Sequence, residues 1–373
     1  MNAIASPLPQ RTRGTRPPAL LQSTSRLALL GTGTVGSAFV ARYLRLLDDG
    51  RRLPRLHMLA NSRGQQRCNG DAAAALHAAT TTKRRGAIEA PELSSLAAGD
   101  VVIDATASEA IAAQHPQWLA RGLHVVTANK RGNGGDLARA QAIARLDGCT
   151  ARYGDSATVG AGLPLLQSIR ALVAGGDRIH SVEGLLSGSM GWLFDRYDGM
   201  RPFSGFVREA MAAGYTEPDP RIDLCGQDVA RKLLILARAA GLPLEMGDIQ
   251  VESLLSAVLA QAAPDAVDAS LETLDPPLRE RYQHAWRDGA RLRFVGRFQC
   301  DADGHCGASV GLRVLPAAHP LCGGNGTDNR VAIHSCRYAA QPLVIQGPGA
   351  GAEVTAAALL DDVLRIVHPG HDP

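Results

Sequence analysis

Short apolar runs alternate with stretches of helical spacing through the first part of the chain. "RLALL" (26–30) predicts a strand, and "TVGSAFVARYLRLL" (34–47) spaces its apolar residues as one helix face does. Three later runs predict further strands, and the helical stretch "EAIAAQHPQWLARG" precedes the last of them: "LHMLAN", "DVVIDATAS" and "LHVVTANK". Because strand and helix alternate, we predict an α/β fold with a Rossmann-type, doubly wound parallel sheet.

The pattern changes in the second half. "QDVARKLLILARAAG" (227–241) has helical spacing that ends at Gly241, and three later segments predict successive strands: "RLRFVGRFQC", "CGASVGLRVL" and "RVAIHSCRYAAQPLVIQG". A length of 373 residues suggests two or three domains.

A glycine motif joins the first predicted strand to the first helix. In "GTGTVG", Gly31 allows a tight turn, Gly33 lets a pyrophosphate approach the backbone, and Gly36 lets strand and helix pack closely. The phosphates would then lie at the helix N-terminus, beside Thr34 and Val35. The alternative is a glycine turn that binds nothing, but strand, turn and helix together favour a dinucleotide.

The second strand ends in "NSRG", with Asn61 and Arg63 where an NAD enzyme would place an Asp or Glu. Arg63 could pair with a 2′-phosphate, so NADP is the favoured cofactor and NAD the second choice; the alternative is an Arg on a solvated loop. Ligands of such sheets gather beyond the carboxyl ends of the strands, where Thr106, Ser108, Asn129 and Lys130 fall.

Lysine is rare in this chain. Of 39 basic residues only three are lysines, namely Lys83, Lys130 and Lys232. Because Arg does not release its proton near neutral pH and Lys can, a lysine here marks a place where Arg cannot substitute. Asp228 and Lys232 are four residues apart on one predicted helix face, with Glu217 and Asp223 nearby. A solvated ion pair is the alternative reading of that spacing.

Composition excludes several classes. No apolar run is long enough to span a bilayer, and a net charge of +3 without a basic stripe argues against nucleic acid as a partner. Seven scattered cysteines suggest neither a disulfide framework nor a metal site, which suits a reducing cytoplasm. Residues 1–25 are rich in Pro, Ser, Thr and Arg and predict a disordered tail.

These motifs together resemble the homoserine dehydrogenases, most of all the dehydrogenase half of the bifunctional aspartokinase–homoserine dehydrogenases. The resemblance runs from about residue 26 to 367 and is carried by "GTGTVGSAF", "VVTANK", "TVGAGLP", "GLLSGSMGWLF", "GYTEPDPRIDLCGQDVARKLLILAR" and "GPGAGAEVTAA". It implies NAD(P)-dependent interconversion of L-homoserine and L-aspartate 4-semialdehyde, a step of threonine, methionine and isoleucine biosynthesis. It also implies a homodimer with three regions: nucleotide-binding (26–153, completed by 347–373), catalytic (154–292) and dimerisation (293–346).

The resemblance assigns a role to each candidate residue. Lys232 would exchange the substrate proton, Glu217 and Asp228 would hold the substrate ammonium group, and Asp223 would orient them. Lys130 would be a third catalytic-site residue in the cofactor and substrate cleft, where its positive charge would suit the substrate carboxylate or a cofactor phosphate. Gly349 and Gly351 would approach the cofactor, although a plain loop is the alternative reading for them. Backbone carbonyls of Val159, Ala161 and Leu163 could bind a monovalent cation, with a loop that holds no metal as the favoured alternative.

Several positions depart from the family pattern. Ile222 replaces an Asp, Cys225 replaces a Ser or Asn, Gly191 and Trp192 replace "SY", and Ser156 replaces an acid associated with the cation. The kinase half and the threonine-sensing domain of some relatives have no counterpart here, so we do not expect feedback by threonine.

Two other functions stay open. One is another NADP-linked oxidoreductase of an amino acid or hydroxy acid; the other is a non-catalytic NADP-binding homologue. An aspartate-semialdehyde dehydrogenase would need an activated cysteine, and no Cys here has such a setting.

Overall fold

A computed structural model describes residues 25–82, 93–149, 151–301, 303–324 and 326–368. The predicted tail, apart from Ser25, and Lys83 lie outside this part. The β-strands are β1 Arg26–Leu30, β2 Arg55–Asn61, β3 Gly64–Arg67, β4 Val101–Asp104, β5 His124–Thr127, β6 Tyr153–Gly154, β7 Ile179–Leu185, β8 Ile249–Val251, β9 Ala290–Cys300, β10 Cys306–Pro316, β11 Asp328–Ser335 and β12 Leu343–Pro348.

The α-helices connect and cover these strands. They are α1 Thr34–Asp48, α2 Ala72–Thr81, α3 Glu109–Ala112, α4 His115–Ala120, α5 Leu137–Leu146, α6 Leu165–Ala174, α7 Gly188–Arg196, α8 Phe203–Ala212, α9 Arg221–Leu224, α10 Gln227–Ala239, α11 Ala257–Gln261, α12 Val267–Ser270, α13 Asp275–Arg287 and α14 Ala352–Val367. No helix in the described part is long and apolar enough to cross a membrane.

The first sheet has the strand order β3-β2-β1-β4-β5-β6. Five of its strands are parallel, which confirms the Rossmann-type prediction, but β3 runs antiparallel to β2 at the edge. The reversal is local: the Asn61 carboxamide oxygen accepts from the backbone N–H groups of Arg63 (2.7 Å) and Gly64 (3.2 Å). The "NSRG" stretch is therefore a hairpin turn, which the sequence analysis missed.

One helical prediction is refined. The stretch 109–122 is two short helices, α3 and α4, with Pro116 in the first turn of the second, where a missing N–H costs nothing.

The last helix, α14, packs against α1. Its buried face shares one apolar cluster with Leu29 and Phe39.

The second sheet has the order β12-β11-β7-β9-β10-β8 and is antiparallel except for β8 beside β10. The predicted strands of the second half are thus confirmed. One face packs on α10 through Phe294, Phe298 and Leu233. We call the opposite face, which includes Leu185, Val295 and the exposed Arg297, the outer face. The predicted boundary at 292/293 falls inside β9, and the three regions stay predictions.

One cysteine prediction is wrong. The structure pairs Cys300 with Cys306 in a disulfide, whereas the scattered cysteines suggested no disulfide. The pairing follows from the strand register, because Cys300 lies directly opposite Cys306 at the end of the β9 and β10 hairpin. Sequence spacing alone does not show that register.

Candidate active site

The beginning of α10 presents an acid and a lysine to a common space. Gly226, with φ of 76°, lies between α9 and α10, and a Cβ there would lie 3.0 Å from the Phe294 ring. Lys232 lies one turn after Asp228, and its Nζ is 2.8 Å from Asp228 Oδ2. It also donates to the Leu186 carbonyl (2.7 Å). The Lys232 side chain is only 11% exposed, so this is not the solvated ion pair of the alternative reading.

Lys130 completes the cluster from the other sheet. Its Nζ lies 3.1 Å from Asp228 Oδ1, so one carboxylate bridges the two lysines of the described chain. Surrounding atoms raise the pKa of Asp228 by desolvation, but Lys232 and Lys130 outweigh that effect and hold the pKa below its ordinary value. Asp228 is therefore an anion across the neutral range, and at 46% exposure it can still accept from a ligand.

Asp223 connects residues 214–220, which we call the acidic loop, to α7. Its Oδ1 accepts from Ser189 Oγ (2.7 Å), and its Oδ2 accepts from the backbone N–H of Glu217 (2.9 Å). Ser189 Oγ is in turn 2.9 Å from Ser187 Oγ. Asp223 thus fixes the loop that carries Glu217, whose side chain is exposed. Neither serine was predicted as a site residue, although both lie in the motif "GLLSGSMGWLF".

The glycine turn is shaped for a phosphate. Gly31 has φ of 95°, and a Cβ there would lie 2.7 Å from the Ala105 carbonyl oxygen. A Cβ on Gly36 would lie 1.9 Å from the Gly31 oxygen, whereas one on Gly33 would meet nothing within 4 Å. Gly33 precedes α1 without a side-chain cap, so the first N–H groups, around Thr34 and Val35, are available to an anion. A dinucleotide pyrophosphate fits this cradle.

A continuous series of contacts leads from that turn to Lys232. Gly31 lies against Ala105, and Thr106 donates to the buried Asp104 through its N–H (2.9 Å) and Oγ1 (2.6 Å). Asn129 Nδ2 donates to Asp104 Oδ2 (2.9 Å) and to the Ser108 carbonyl (2.9 Å). The next residue is Lys130, which reaches Asp228. The nucleotide turn and the lysine cluster therefore both lie at the carboxyl ends of the strands of the first sheet, and we call this region the cleft.

The remaining cofactor candidates have structural partners already. Asn61 Nδ2 donates to Thr32 Oγ1 (2.7 Å) and to the Ala79 carbonyl (2.9 Å), and the Arg63 guanidinium donates to the Thr80 carbonyl. Arg63 is exposed, so its remaining N–H groups face solvent.

The two later glycines differ from each other. A Cβ on Gly349 would collide with the Asn329 side chain, which gives that glycine a packing reason of its own. Gly351 has φ of 123° and precedes α14. A cofactor contact at these two glycines stays a prediction.

The predicted cation segment is a tight turn. Ala161 has φ of 51°, the left-handed region that non-glycine residues rarely adopt, and Val159 is fully buried. The Leu163 carbonyl already accepts from Leu165 N–H (2.8 Å). Ser156 donates through N–H and Oγ to Asp362 (2.9 Å each), so it is committed to α14.

Comparison with known proteins places this cleft in a family. The family model of homoserine dehydrogenase matches residues 164–364, and that of the homoserine dehydrogenase NAD-binding domain matches 31–151. The homoserine dehydrogenase of Emericella nidulans is 33% identical over 370 residues, covering 91% of this chain and 98% of that enzyme. The chain belongs to the homoserine dehydrogenase family.

Other relatives support membership of the same family. The chloroplastic bifunctional aspartokinase/homoserine dehydrogenase 2 of Zea mays is 42% identical over 268 residues, which are 71% of this chain and 29% of that protein. The chain thus spans less than a third of the bifunctional relatives it matches. The crystal structure of a putative homoserine dehydrogenase from Archaeoglobus fulgidus superposes with a TM-score of 0.73 at 25% identity, covering 92% of this chain and 99% of that one.

Four departures from the homoserine dehydrogenase pattern lie in α7 and in or just after α9. Ile222 is 56% exposed, so the missing carboxylate leaves an apolar side chain in solvent. Cys225 Sγ donates to the Ile222 carbonyl (3.1 Å). Trp192 is buried, with its ring centroid 5.2 Å from that of Tyr215 in the acidic loop. A Cβ on Gly191 would lie 2.9 Å from the Gly326 oxygen, so that glycine permits a close backbone approach.

Two arginines of α10 that contact the site were not predicted from the sequence. Arg231 and Arg238 donate to backbone carbonyls of the segment after Lys130, at 2.7 to 2.8 Å. Desolvation lowers the pKa of both guanidinium groups. Their spacing around Lys232 was visible in "ARKLLILAR", but the carbonyls they bind lie about a hundred residues earlier.

Proposed function

We propose that the protein is an NAD(P)-dependent homoserine dehydrogenase that interconverts L-homoserine and L-aspartate 4-semialdehyde. The observation that carries the proposal is the Asp228 carboxylate bridging Lys232 and Lys130 in the cleft of the nucleotide turn. Family membership supports the reaction, and the cluster supplies the groups that the reaction needs.

The reaction transfers a hydride at one carbon of the substrate and a proton at the oxygen bound to that carbon, and different groups carry out the two transfers. The nicotinamide, when bound, takes hydride from the alcohol carbon or returns it to the aldehyde carbon. Lys232 gives a proton to the aldehyde oxygen during reduction and accepts the hydroxyl proton during oxidation, so charge balances in both directions. A side chain 11% exposed is well protected from bulk water for this exchange. Asp228 and Glu217 offer carboxylates to the substrate ammonium group, and Asp223 holds the Glu217 loop.

The proton-exchange role is tested with Lys232→Arg. Arginine keeps the positive charge beside Asp228 but does not release its proton, so we expect kcat to fall by about 10²- to 10⁴-fold. The measurement is reduced-nicotinamide absorbance with homoserine and with the semialdehyde. Lys83→Arg is the matched control and should retain normal turnover. Near-normal turnover of Lys232→Arg would remove Lys232 from proton exchange.

We propose NADP rather than NAD as the preferred cofactor. Support comes from the absence of an acid at the end of β2 and from the exposed Arg63 guanidinium there. Arg63→Ala should raise the Michaelis constant for NADP about tenfold, because a charged hydrogen bond to the 2′-phosphate contributes roughly 1.5 to 3 kcal/mol. The constant for NAD should change little. An equal effect on both nucleotides would contradict the preference.

We further propose a homodimer that pairs through the outer face, a cytoplasmic location, and a monovalent cation held by carbonyls of Val159, Ala161 and Leu163. The dimer and the cation rest on the family resemblance, and the location rests on the five cysteines that stay free thiols beside the Cys300–Cys306 disulfide. The left-handed Ala161 also supports the cation, because it turns successive carbonyls in one short loop.

A further inference from the structure

The segment 130–135, "KRGNGG", lies on α10. Arg231 Nη1 donates to the Gly134 carbonyl (2.8 Å), and Arg238 Nη1 donates to the carbonyls of Asn133 (2.7 Å) and Gly135 (2.7 Å). Three consecutive carbonyls of this segment therefore bind one helix. We call these contacts the arginine clamp.

The clamp shares a helix face with the reactive cluster. Positions 228, 231, 235 and 238 follow one another at three or four residues, and position 232 is four after 228, so all five lie on one side of α10. A Cβ on Gly134 would lie 2.9 Å from Arg231 Cγ and 2.5 Å from the Lys130 oxygen. The fit leaves no room for a side chain at Gly134 between the segment and the helix.

Buried polar groups hold the same segment from the other side. A Cβ on Gly132 would lie 2.2 Å from Tyr153 Oη, which is 3.0 Å from His115 Nδ1. Asn133 Nδ2 donates to the buried Asp155 (2.6 Å). The segment is therefore fixed between the first sheet and α10, with Lys130 at its beginning.

We propose that Arg231 and Arg238 are positioning residues that hold Lys130 against Asp228 by clamping the 133–135 backbone. They donate to neutral carbonyls, so they fix the segment without competing with the lysines for the Asp228 carboxylate. Arg238 also donates to the Leu244 carbonyl (3.0 and 2.8 Å), which gives it a second, structural task. Substitution of Arg231, whose recorded hydrogen bond is to Gly134, therefore tests the clamp more specifically than substitution of Arg238. The kinetic consequence rests on the proposed function, whereas the geometric one does not.

The scarcity of lysine provides a readout independent of activity. With lysine labelled by ¹³C at the ε carbon, the chain has three signals, and Lys130→Arg identifies that of Lys130. Asp228→Asn should shift this signal in the otherwise unchanged protein. In the Arg231→Met protein, Asp228→Asn should shift the Lys130 signal by about half as much or less, because Lys130 is no longer held against Asp228. Arg287→Met, on an exposed position of α13, should preserve the full shift. An undiminished shift in Arg231→Met overturns the proposal.

Kinetics test the consequence. Arg231→Met should lower kcat/KM for homoserine about tenfold, since small misplacements of reacting groups are costly. Arg231→Lys should restore most of it, because an ammonium group can donate to the same carbonyl. Lys130→Ala combined with Arg231→Met should be no slower than Lys130→Ala alone. Additive losses, or no rescue by Lys in a folded protein, overturn the proposal. If the unchanged protein does not turn over homoserine, the proposed function fails and the labelled-lysine result still decides the clamp.

Discussion

At the scale of single residues, the Asp228 carboxylate has two ammonium groups beside it, and its ionisation follows from them. Desolvation raises its pKa, and Lys232 and Lys130 lower it by more. An acid with a lower pKa in the folded than in the unfolded chain stabilises the fold above the unfolded value, about 3.9. That contribution is lost as pH falls through the folded value. The stabilisation is thus complete at neutral pH and declines only in acid.

Asp228→Asn should therefore have two effects. The Michaelis constant for homoserine should rise about tenfold, because one charged partner of the substrate ammonium is gone. The free energy of unfolding should fall at pH 7, since two lysines lose their shared anion, and the deficit should shrink below about pH 4. Steady-state kinetics and urea unfolding across this pH range measure both. Asp361→Asn, exposed on α14, is the control. A pH-independent deficit would contradict the ionic explanation.

The residues of the site were predicted unequally. The pairing of Asp228 with Lys232 follows from their separation by one helical turn, and the structure places them 2.8 Å apart. The contact of Lys130 with Asp228 joins residues 98 positions apart, so no local rule could find it. The carbonyl partners of Arg231 were hidden for the same reason. Whether these groups act as proposed stays a prediction.

At the scale of elements, the turn between β1 and α1 uses its glycines for different purposes. Gly31 and Gly36 are required by the packing of the turn on itself and on Ala105. Gly33 has open space where a Cβ would lie, so the fold does not require it. Its requirement would come from the ligand.

Gly33→Ala and Gly36→Ala should separate these roles. Gly33→Ala should fold with unchanged thermal stability but weaken nucleotide binding at least about tenfold, because the methyl group occupies the approach of the pyrophosphate. Gly36→Ala should lower the melting temperature, since its Cβ overlaps the Gly31 oxygen. Calorimetry of nucleotide binding and thermal unfolding give the two readouts. Unchanged nucleotide affinity in Gly33→Ala would show that the pyrophosphate does not pass there.

Most elements were predictable from periodicity, because β1, β4, β5 and α10 are continuous apolar or amphipathic runs. The hairpin of β2 and β3 was not. It depends on one Asn side chain accepting from two later N–H groups, and the short polar β3 has no apolar pattern.

At the scale of the whole molecule, the outer face is proposed to pair two subunits. Gly307 of β10 lies on this face and is exposed, and a Cβ added to it would meet no atom within 4 Å. Gly247, in a turn after α10, has the same freedom and serves as the control. Either glycine can therefore be replaced without disturbing the subunit itself.

Gly307→Glu should leave the subunit folded but weaken dimerisation at least about tenfold, because an unpaired charge is costly inside an interface. Gly247→Glu should remain dimeric. Sedimentation of the unchanged protein should give twice the 39.2 kDa chain mass, and that of Gly307→Glu a smaller mass. A dimer unaffected by Gly307→Glu would place the interface on another surface.

The sequence by itself determined the local features of this protein: the glycine turn, the order of strands and helices, and the acid and lysine one turn apart on α10. Each depends on neighbours within a few residues, so backbone preferences and periodicity reveal it. Tertiary structure decided what these features meet. Lys130 opposite Asp228 and the arginine clamp depend on how chain segments about a hundred residues apart pack together. Cys300 lies opposite Cys306 because of the register of one hairpin, which hydrophobic periodicity does not reveal.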